Sequence, residues 1–277
     1  MLKDPKISII TVAFNSSKTI KGTIESIISQ DYNNIEYLII DGGSKDGTAN
    51  WLAKQKNILS IIQPNYIIKQ NFGLSKLKYS WGNFINIAFK MATSDFIVMI
   101  SDDLILNYGC LQNGFDEMIN RINNGENIGG GAFYFREYPR MQDYRIGLLP
   151  RKFININHGI YNKNALKSIN YFNEIDYNFY CSDGDLAMRL NFAGWKTIAL
   201  ENSFSNHLVH LPQMFKSNPN QSIINDIKHF QELYSDEVHD NLTTCGNNSV
   251  NLLAFWIFGF KNCIMGLLMR IYDKRFR

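Results

Sequence analysis

The feature that most constrains this chain is an alternation in its N-terminal third. Short, β-branched apolar runs, each ending in polar residues, are separated by segments of helical period. Ile7 to Val12, Ile35 to Ile40, Leu59 to Ile62 and Phe96 to Ile100 are too uniformly apolar to keep one face in water, as expected of parallel strands covered on both sides. Ile20, Ile24, Ile27 and Ile28 recur at helical spacing behind an Asn/Ser cluster that offers an N-cap, and Phe84 to Met91 repeats the helical pattern. Strand–helix–strand order implies right-handed crossovers and a parallel sheet. Ligands of such sheets lie beyond the carboxyl ends of the strands. The polar residues stand there: Asn15, then Asp41-Gly42-Gly43-Ser44, then Ser101-Asp102-Asp103. Ser44 is expected to cap the helix that follows, with Asp46 in its first turn.

Beyond residue 105 the pattern is less regular. A glycine turn at Gly129-Gly130-Gly131 leads a strand within Asn127 to Phe135, and Asn162 to Ile169 reads as a helix. Ser182 to Ala193 is a better helix, with Ser182 as cap, Asp183 and Asp185 in the first turn, and Gly194 as stop. Trp195 to Leu200 and Ser203 to His210 read as strands. Ile223, Ile224, Ile227, Phe230, Leu233 and Tyr234 then mark an amphipathic helix. The expected organisation is a catalytic unit over 1–215, with a nucleotide-binding half (1–105) and an acceptor half (106–215), followed by a helical extension over 216–277.

Charge bears on partners. The final eight residues hold Arg270, Lys274, Arg275 and Arg277 against Asp273, which accounts for the whole net charge of +3. The balanced remainder excludes a general nucleic-acid surface and leaves a local basic tail. Cys110, Cys181, Cys245 and Cys263 form no CxxC pair, so neither a disulfide framework nor a zinc site is suggested, and a reducing cytoplasm is the expected compartment. The N-terminus runs into the first strand without an apolar leader.

Several residues carry candidate chemistry, each with a plainer reading beside it. Adjacent carboxylates at Asp102-Asp103 suit a hard divalent ion shared with substrate phosphate; the alternative is a solvated helix cap. Asp41 can accept from a base or ribose, or cap its own turn. Asp183 or Asp185 can take a proton from a hydroxyl, or complement the helix dipole, with Asp185 paired to Arg189 at i,i+4. His207 and His210, three apart on a strand, point to opposite faces, so at most one can complete a metal shell.

Together these pieces resemble a known family. Lys6-Ile-Ser-Ile-Ile-Thr-Val-Ala-Phe-Asn15, Ile39-Ile-Asp-Gly-Gly-Ser-Lys-Asp-Gly-Thr48, Trp81-Gly-Asn-Phe-Ile-Asn-Ile-Ala88, Met99-Ile-Ser-Asp-Asp103, and Ser182-Asp-Gly-Asp-Leu-Ala-Met-Arg-Leu190 with Ala193-Gly-Trp195 fall in order over roughly residues 6 to 210. They resemble the family-2 inverting glycosyltransferases of GT-A fold, notably the rhamnosyltransferase-like subset. The resemblance implies an α/β fold with a Rossmann-like, mostly parallel central sheet flanked by helices, and a C-terminal helical extension. It implies transfer of a sugar from a nucleotide-diphosphate donor, expected to be a UDP-sugar, to an acceptor hydroxyl. Ala13, Asn15, Asp41, Gly73, Gly82, Asn86 and Asp102 would line the nucleotide site. Asp102 and Asp103, with His207 or His210, would hold Mn²⁺ or Mg²⁺, and Asp183 would be the general base.

Two positions depart from the family habit: Ile100, where an acidic residue is common, and Ser182, where Glu is common. A sugar nucleotidyltransferase, the neighbouring enzyme class, usually has a Gly/Arg-rich loop after the first strand, whereas Ala13-Phe14-Asn15-Ser16-Ser17 has no arginine. A catalytically silent sugar- or nucleotide-binding protein is the other alternative. Val250 to Met269, interrupted by Lys261-Asn262, is short for a membrane span. With the basic end it suits either an in-plane helix on an anionic membrane or packing in a homodimer. A lipid-linked glycan acceptor at the inner face of the cytoplasmic membrane, in bacterial surface-polysaccharide synthesis, fits the former.

Overall fold

In the computed structural model, residues 5–69, 75–208, 221–234 and 244–246 are described. The chain runs β1 (Ile7–Ala13), α1 (Ile20–Ile28), β2 (Ile35–Asp41), α2 (Thr48–Leu52), β3 (Leu59–Ile62), a small hairpin β4 (Ile67–Lys69) and β5 (Ser75–Leu77), α3 (Trp81–Met91), β6 (Phe96–Met99) and β7 (Leu104–Leu106). It continues through α4 (Cys110–Asn123), β8 (Ile128–Tyr138), β9 (Arg145–Leu148), β10 (Ile154–Asn155), β11 (Gly159–Asn162), α5 (Lys163–Ser168), α6 (Ser182–Phe192), β12 (Lys196–Leu208), α7 (Gln221–Leu233) and β13 (Thr244–Gly246).

The four apolar runs of the N-terminal third form one parallel block, β3–β2–β1–β6, with β1 in the middle. Both faces of β1 are covered. Ile7 and Ile9 pack with α1 and α4 through Ile24, Ile27, Leu111 and Phe115. Ile10 packs with α3 and α6 through Phe84, Phe89, Leu186 and Leu190. Each fully buried Ile contributes about 1.5–3 kcal/mol; β3, at the sheet edge, departs from the expected two-sided cover, with Leu59 and Ile62 exposed. The sheet continues from β6 through antiparallel β11 to β8, β9 and β10, while the long β12 runs parallel to β8 and pairs antiparallel with β7. Most of the paired register is parallel, as expected. The antiparallel pairings are those of β11 with β6 and β8, of β9 with β8, β10 and β13, of β12 with β7, and of the β4–β5 hairpin.

Four local expectations are corrected. Gly129-Gly130-Gly131 is not a turn but the start of β8; a Cβ on Gly131 would come within 2.7 Å of Leu200 on β12, so close approach of side chains from the neighbouring strand selects glycine. The runs Trp195 to Leu200 and Ser203 onward are one strand, with a register irregularity between Leu200 and Phe204. Gly47, not Ser44, precedes α2, because the Ser44 hydroxyl is engaged by Asp41. Cys181, not Ser182, precedes α6, and the Ser182 hydroxyl donates to the Phe179 carbonyl.

At the edge opposite the strand ends, Glu36 ties β2 to β1 and to the α3–β6 turn. It accepts from Ser8 Oγ at 2.5 Å, Thr93 N at 2.9 Å, Thr93 Oγ1 at 2.9 Å and Lys6 Nζ at 3.2 Å. The amphipathic segment from Ile223 forms α7, and Phe230 on it and Tyr234 just after it join Leu149, Tyr177, Ala187 and Met188 in a small separate core. Val250 to Met269 and the basic end lie outside the described residues, as do Gly73 and His210. Among the described residues, no helix is long and apolar enough to cross a membrane.

Candidate active site

The loops leaving β1 and β2 are laced together by short polar side chains. Asn15 adopts a left-handed conformation (φ 52°), which Asn tolerates better than most residues. Its N–H donates to Ser44 Oγ at 2.8 Å, and its Oδ1 accepts from Lys45 N at 2.9 Å. Asp41 is fully buried at the end of β2. Its Oδ1 accepts from Gly43 N at 2.9 Å and Ser44 N at 2.8 Å, and its Oδ2 accepts from the Ser44 hydroxyl at 2.7 Å. The capping alternative raised for Asp41 is therefore realised. A carboxylate offers about four acceptor sites, so room remains for one further donor. Gly43 is needed for two reasons: its φ is 87°, and a Cβ would lie 2.9 Å from Pro64 Cα. Ala13 closes β1 beside this loop, its carbonyl accepting from Gly42 N at 2.9 Å.

Asp102 and Asp103 follow β6 at the same end of the sheet, and their surroundings differ. Asp103 is buried, accepts from Ser101 Oγ at 2.6 Å, and meets His207 Nε2 at 3.2 Å. Burial alone would raise its pKa; the hydrogen bond and charge of His207, with Ser101 and His158, outweigh it and hold the carboxyl at about 2. Asp102 Oδ2 accepts from Phe14 N at 3.1 Å, which joins it to the β1 loop. Burial first, then the Asp103 charge, push Asp102 up to about 6. No cation pairs with it among the described residues. Such a carboxylate favours an added positive charge.

His207 reaches Asp103 because β12 places it opposite Leu104 on one side and Glu137 on the other. Its Nδ1 lies 3.3 Å from Glu137 Oε1, and Arg145 lies 3.6 Å from the same oxygen. Burial lowers the His207 pKa, but Asp103 and Glu137 together raise it above the usual value. Among the described residues, no three His, Cys, Asp or Glu side chains converge as a closed metal cage. The donor set fits an open site instead, in which one or two carboxylates share a hard cation with substrate phosphate.

The second carboxylate centre lies at the start of α6. Asp183 Oδ2 accepts from Asn157 Nδ2 at 2.5 Å and from Asn155 Nδ2 at 3.2 Å. Burial raises its pKa, opposed by the Gly184 N–H and the two asparagines. Asp185, two residues on, is differently used. It is buried, pairs with Arg189 Nε at 2.7 Å, and accepts from Tyr234 Oη at 2.8 Å. Arg189 in turn donates to the carbonyls of Ile169 and Tyr171. Asp185 is thereby committed to packing, whereas Asp183 has no cationic partner among the described residues. The two centres adjoin: His158 follows Asn157 in the chain, and its ring centroid lies 5.8 Å from that of His207.

Gly82 and Asn86 share a face of α3 against the 172–174 loop. Asn86 accepts from Phe172 N at 3.0 Å and donates to Phe172 O at 3.0 Å and Glu174 Oε2 at 2.8 Å, while a Cβ on Gly82 would lie 3.3 Å from Phe172 Cβ. Both residues are thus occupied in seating the loop that leads to Asp183. Glu137 on β8, Asn155 on β10, and Asn157 and His158 in the bend between β10 and β11 join the site without any local sequence signal.

Residues 8–180, more than half of the chain, match the family model described as glycosyl transferase family 2. The chain belongs to that family. A relative from Escherichia coli, named UDP-Glc:alpha-D-GlcNAc-diphosphoundecaprenol beta-1,3-glucosyltransferase WfaP, is 34% identical over 97 residues, 35% of each chain. The match therefore spans about a third of that relative. Among solved structures, S. aureus TarS 1–349 in complex with UDP-GlcNAc superposes with a TM-score of 0.57 at 16% identity, covering 85% of this chain and 68% of that one. The Pyrobaculum calidifontis mannosyltransferase PcManGT, in complex with GDP-Man and Mn²⁺, gives 0.58 at 15% identity, covering 87% and 66%. These likenesses show the GT-A fold expected from the sequence.

Proposed function

We propose that this family-2 glycosyltransferase moves a sugar from a UDP-sugar to an acceptor hydroxyl with inversion, and that the acceptor is a lipid-linked glycan used in bacterial surface-polysaccharide synthesis. The observation that carries the reading is the pairing of two adjoining carboxylate centres, Asp102 at the nucleotide-side loops and Asp183 on the acceptor side. In this reading the remaining acceptor site of Asp41 receives an N–H of the base, and Ala13 and Asn15 border the nucleoside. A divalent cation held by Asp102 and Asp103 would neutralise the charge that develops on the departing diphosphate. His207 fixes Asp103 for that role, and His210 has none assigned.

Asp183 performs the proton transfer. Burial makes its carboxylate more basic than a free one, and Asn155 and Asn157 orient it. The acceptor oxygen attacks the anomeric carbon on the face opposite the diphosphate as its proton passes to Asp183. The bond from the anomeric carbon to the diphosphate oxygen breaks, and the configuration inverts. The E. coli relative is named for transfer to a diphosphoundecaprenol-linked sugar, which supports an acceptor of that class. The basic end at residues 270–277 suits attraction to an anionic inner leaflet. The test is UDP release from UDP-glucose and UDP-N-acetylglucosamine with Mn²⁺. Metal-dependent release of UDP supports the reading, and the absence of both release and nucleotide binding rejects it.

A further inference from the structure

The family match ends at residue 180, yet the acceptor side of the site is fastened from beyond it, by α7. Asp226, on the second turn of α7, is 1% exposed. Its Oδ1 accepts from Asn178 N at 3.0 Å and Asn178 Nδ2 at 3.3 Å, and its Oδ2 accepts from Phe179 N and Tyr180 N, both at 2.9 Å. One carboxylate thus satisfies three consecutive backbone N–H groups of the loop that enters α6 at Ser182, one residue before Asp183. The same segment is held from the other side by Trp81, whose N–H donates to Asn178 O at 2.8 Å and whose ring meets Phe179 edge-on at 5.6 Å. Two further contacts from α7 and the residue that follows it reach α6. The Tyr234 hydroxyl donates to Asp185, and the Phe230 ring lies where a Cβ on Gly184 would meet it at 3.2 Å.

We infer that Asp226 of α7 and Tyr234, directly after that helix, are positioning residues for the reaction: they set the 178–181 loop and the first turn of α6, and so aim Asp183 at the acceptor. The geometry requires this division of labour because the start of α6 lacks a side-chain cap of its own. Cys181 takes a left-handed conformation (φ 58°) with no capping hydrogen bond from its side chain. Non-glycine residues hold such conformations when the surroundings over-determine them, and the Asp226 carboxylate, gathering the three preceding N–H groups, supplies that constraint. Phe179 and Tyr180, four and three residues before Asp183 in the chain, keep their side chains exposed under this clamp. The role rests on the reading of Asp183 as base, and α7 becomes part of the catalytic unit instead of an appendage.

The test uses the full chain and three variants, Asp226→Ala, Asp226→Asn and Tyr234→Phe, with UDP-glucose and UDP-N-acetylglucosamine as probes and water as the acceptor. Misplacement of a reacting group by about 1 Å costs on the order of 100-fold. Asp226→Ala is expected to lower kcat for donor hydrolysis by about 10- to 100-fold with KM for the donor unchanged, and to speed amide exchange at 178–180. Asp226→Asn, which keeps one acceptor oxygen, recovers part of the rate. Tyr234→Phe removes one hydroxyl without disturbing the fold and gives a smaller loss of the same kind. A wild-type kcat in both Asp226→Ala and Tyr234→Phe, with exchange accelerated, overturns the inference. So does a parallel loss of UDP–Mn²⁺ binding, which would make α7 a support for the whole domain. Absence of nucleotide binding and hydrolysis in the wild-type protein sinks the glycosyl-transfer reading itself and this inference with it.

Discussion

Exchanging Asp183 for Asn separates proton acceptance from packing, because the amide matches the carboxylate in shape. In the structure Asn155 and Asn157 both point an N–H at Asp183 Oδ2. The carbonyl oxygen of the substituted amide can still receive them, but without the charge that strengthens both bonds, a loss of about 1–2 kcal/mol. Against this, the carboxylate sits where burial disfavours its charge, and removing that charge works in the opposite direction. The two effects offset, so stability should change by no more than about 1 kcal/mol, or roughly 2–4 °C in Tm for a chain of this size. The rate behaves differently. An amide cannot take the acceptor proton, and loss of a general base costs about 10²- to 10⁴-fold, equivalent to about 3–5 kcal/mol in the barrier. Initial rates of UDP release, measured beside the dissociation constant for UDP with Mn²⁺, read both quantities on one preparation. Transfer at the wild-type rate by Asp183→Asn would refute the assignment. A loss of rate matched by an equal loss of nucleotide affinity would place Asp183 in donor binding instead.

Other outcomes follow from the same structure. Asp102→Ala should weaken UDP binding in Mn²⁺ by at least about tenfold, while binding without metal changes little, as calorimetry at fixed ionic strength would show. Asp103→Ala should do the same and also release His207, whose pKa then falls, a change visible by NMR titration. Gly43→Ala should destabilise the chain by more than about 1 kcal/mol, since it combines a positive φ with a Cβ 2.9 Å from Pro64; the urea midpoint reports it. Glu36 titrates at about 2 in the folded chain against a usual 4.5, because its hydrogen bonds to Ser8, Thr93 and Lys6 outweigh burial. Its contribution is therefore present above about pH 4.5 and lost as pH falls toward 2. After screening at this partly exposed site it is about 1 kcal/mol, so the stability gap between wild type and Glu36→Gln should hold down to about pH 4.5 and close as pH falls from there toward 2.

The parallel core was legible because its signal is local: apolar runs of strand length with polar residues at their ends need no knowledge of distant partners. The corrections came where tertiary contact decides. Ser44 has good N-cap chemistry, but Asp41 engages its hydroxyl first. Gly129-Gly130-Gly131 has turn composition, yet Trp195, Ile156 and Leu200, all far along the chain, leave no room for side chains there. The i,i+4 spacing already pairs Asp185 with Arg189, but only the Tyr234 contact, from far along the chain, completes the commitment of Asp185 to packing. The same holds for Asn86. It stands in a motif associated with the nucleotide, and the structure occupies its amide with the 172–174 loop. Asp226 carried no signal in the sequence, since one Asp on an amphipathic helix reads as an ordinary solvated residue until the loop it clamps is known.

The central claim is that the strand ends form a metal-assisted nucleotide-diphosphate site, and thermal stability with a panel of nucleotide diphosphates, each with and without Mn²⁺, tests it most directly. A ligand at a hundredfold over its dissociation constant adds about 2.7 kcal/mol to the folded state. The account predicts a clear rise in Tm that needs UDP and Mn²⁺ together. No rise with any nucleotide, in the presence or absence of metal, would contradict it and leave Asp41, Asp102 and Asp103 as structural carboxylates.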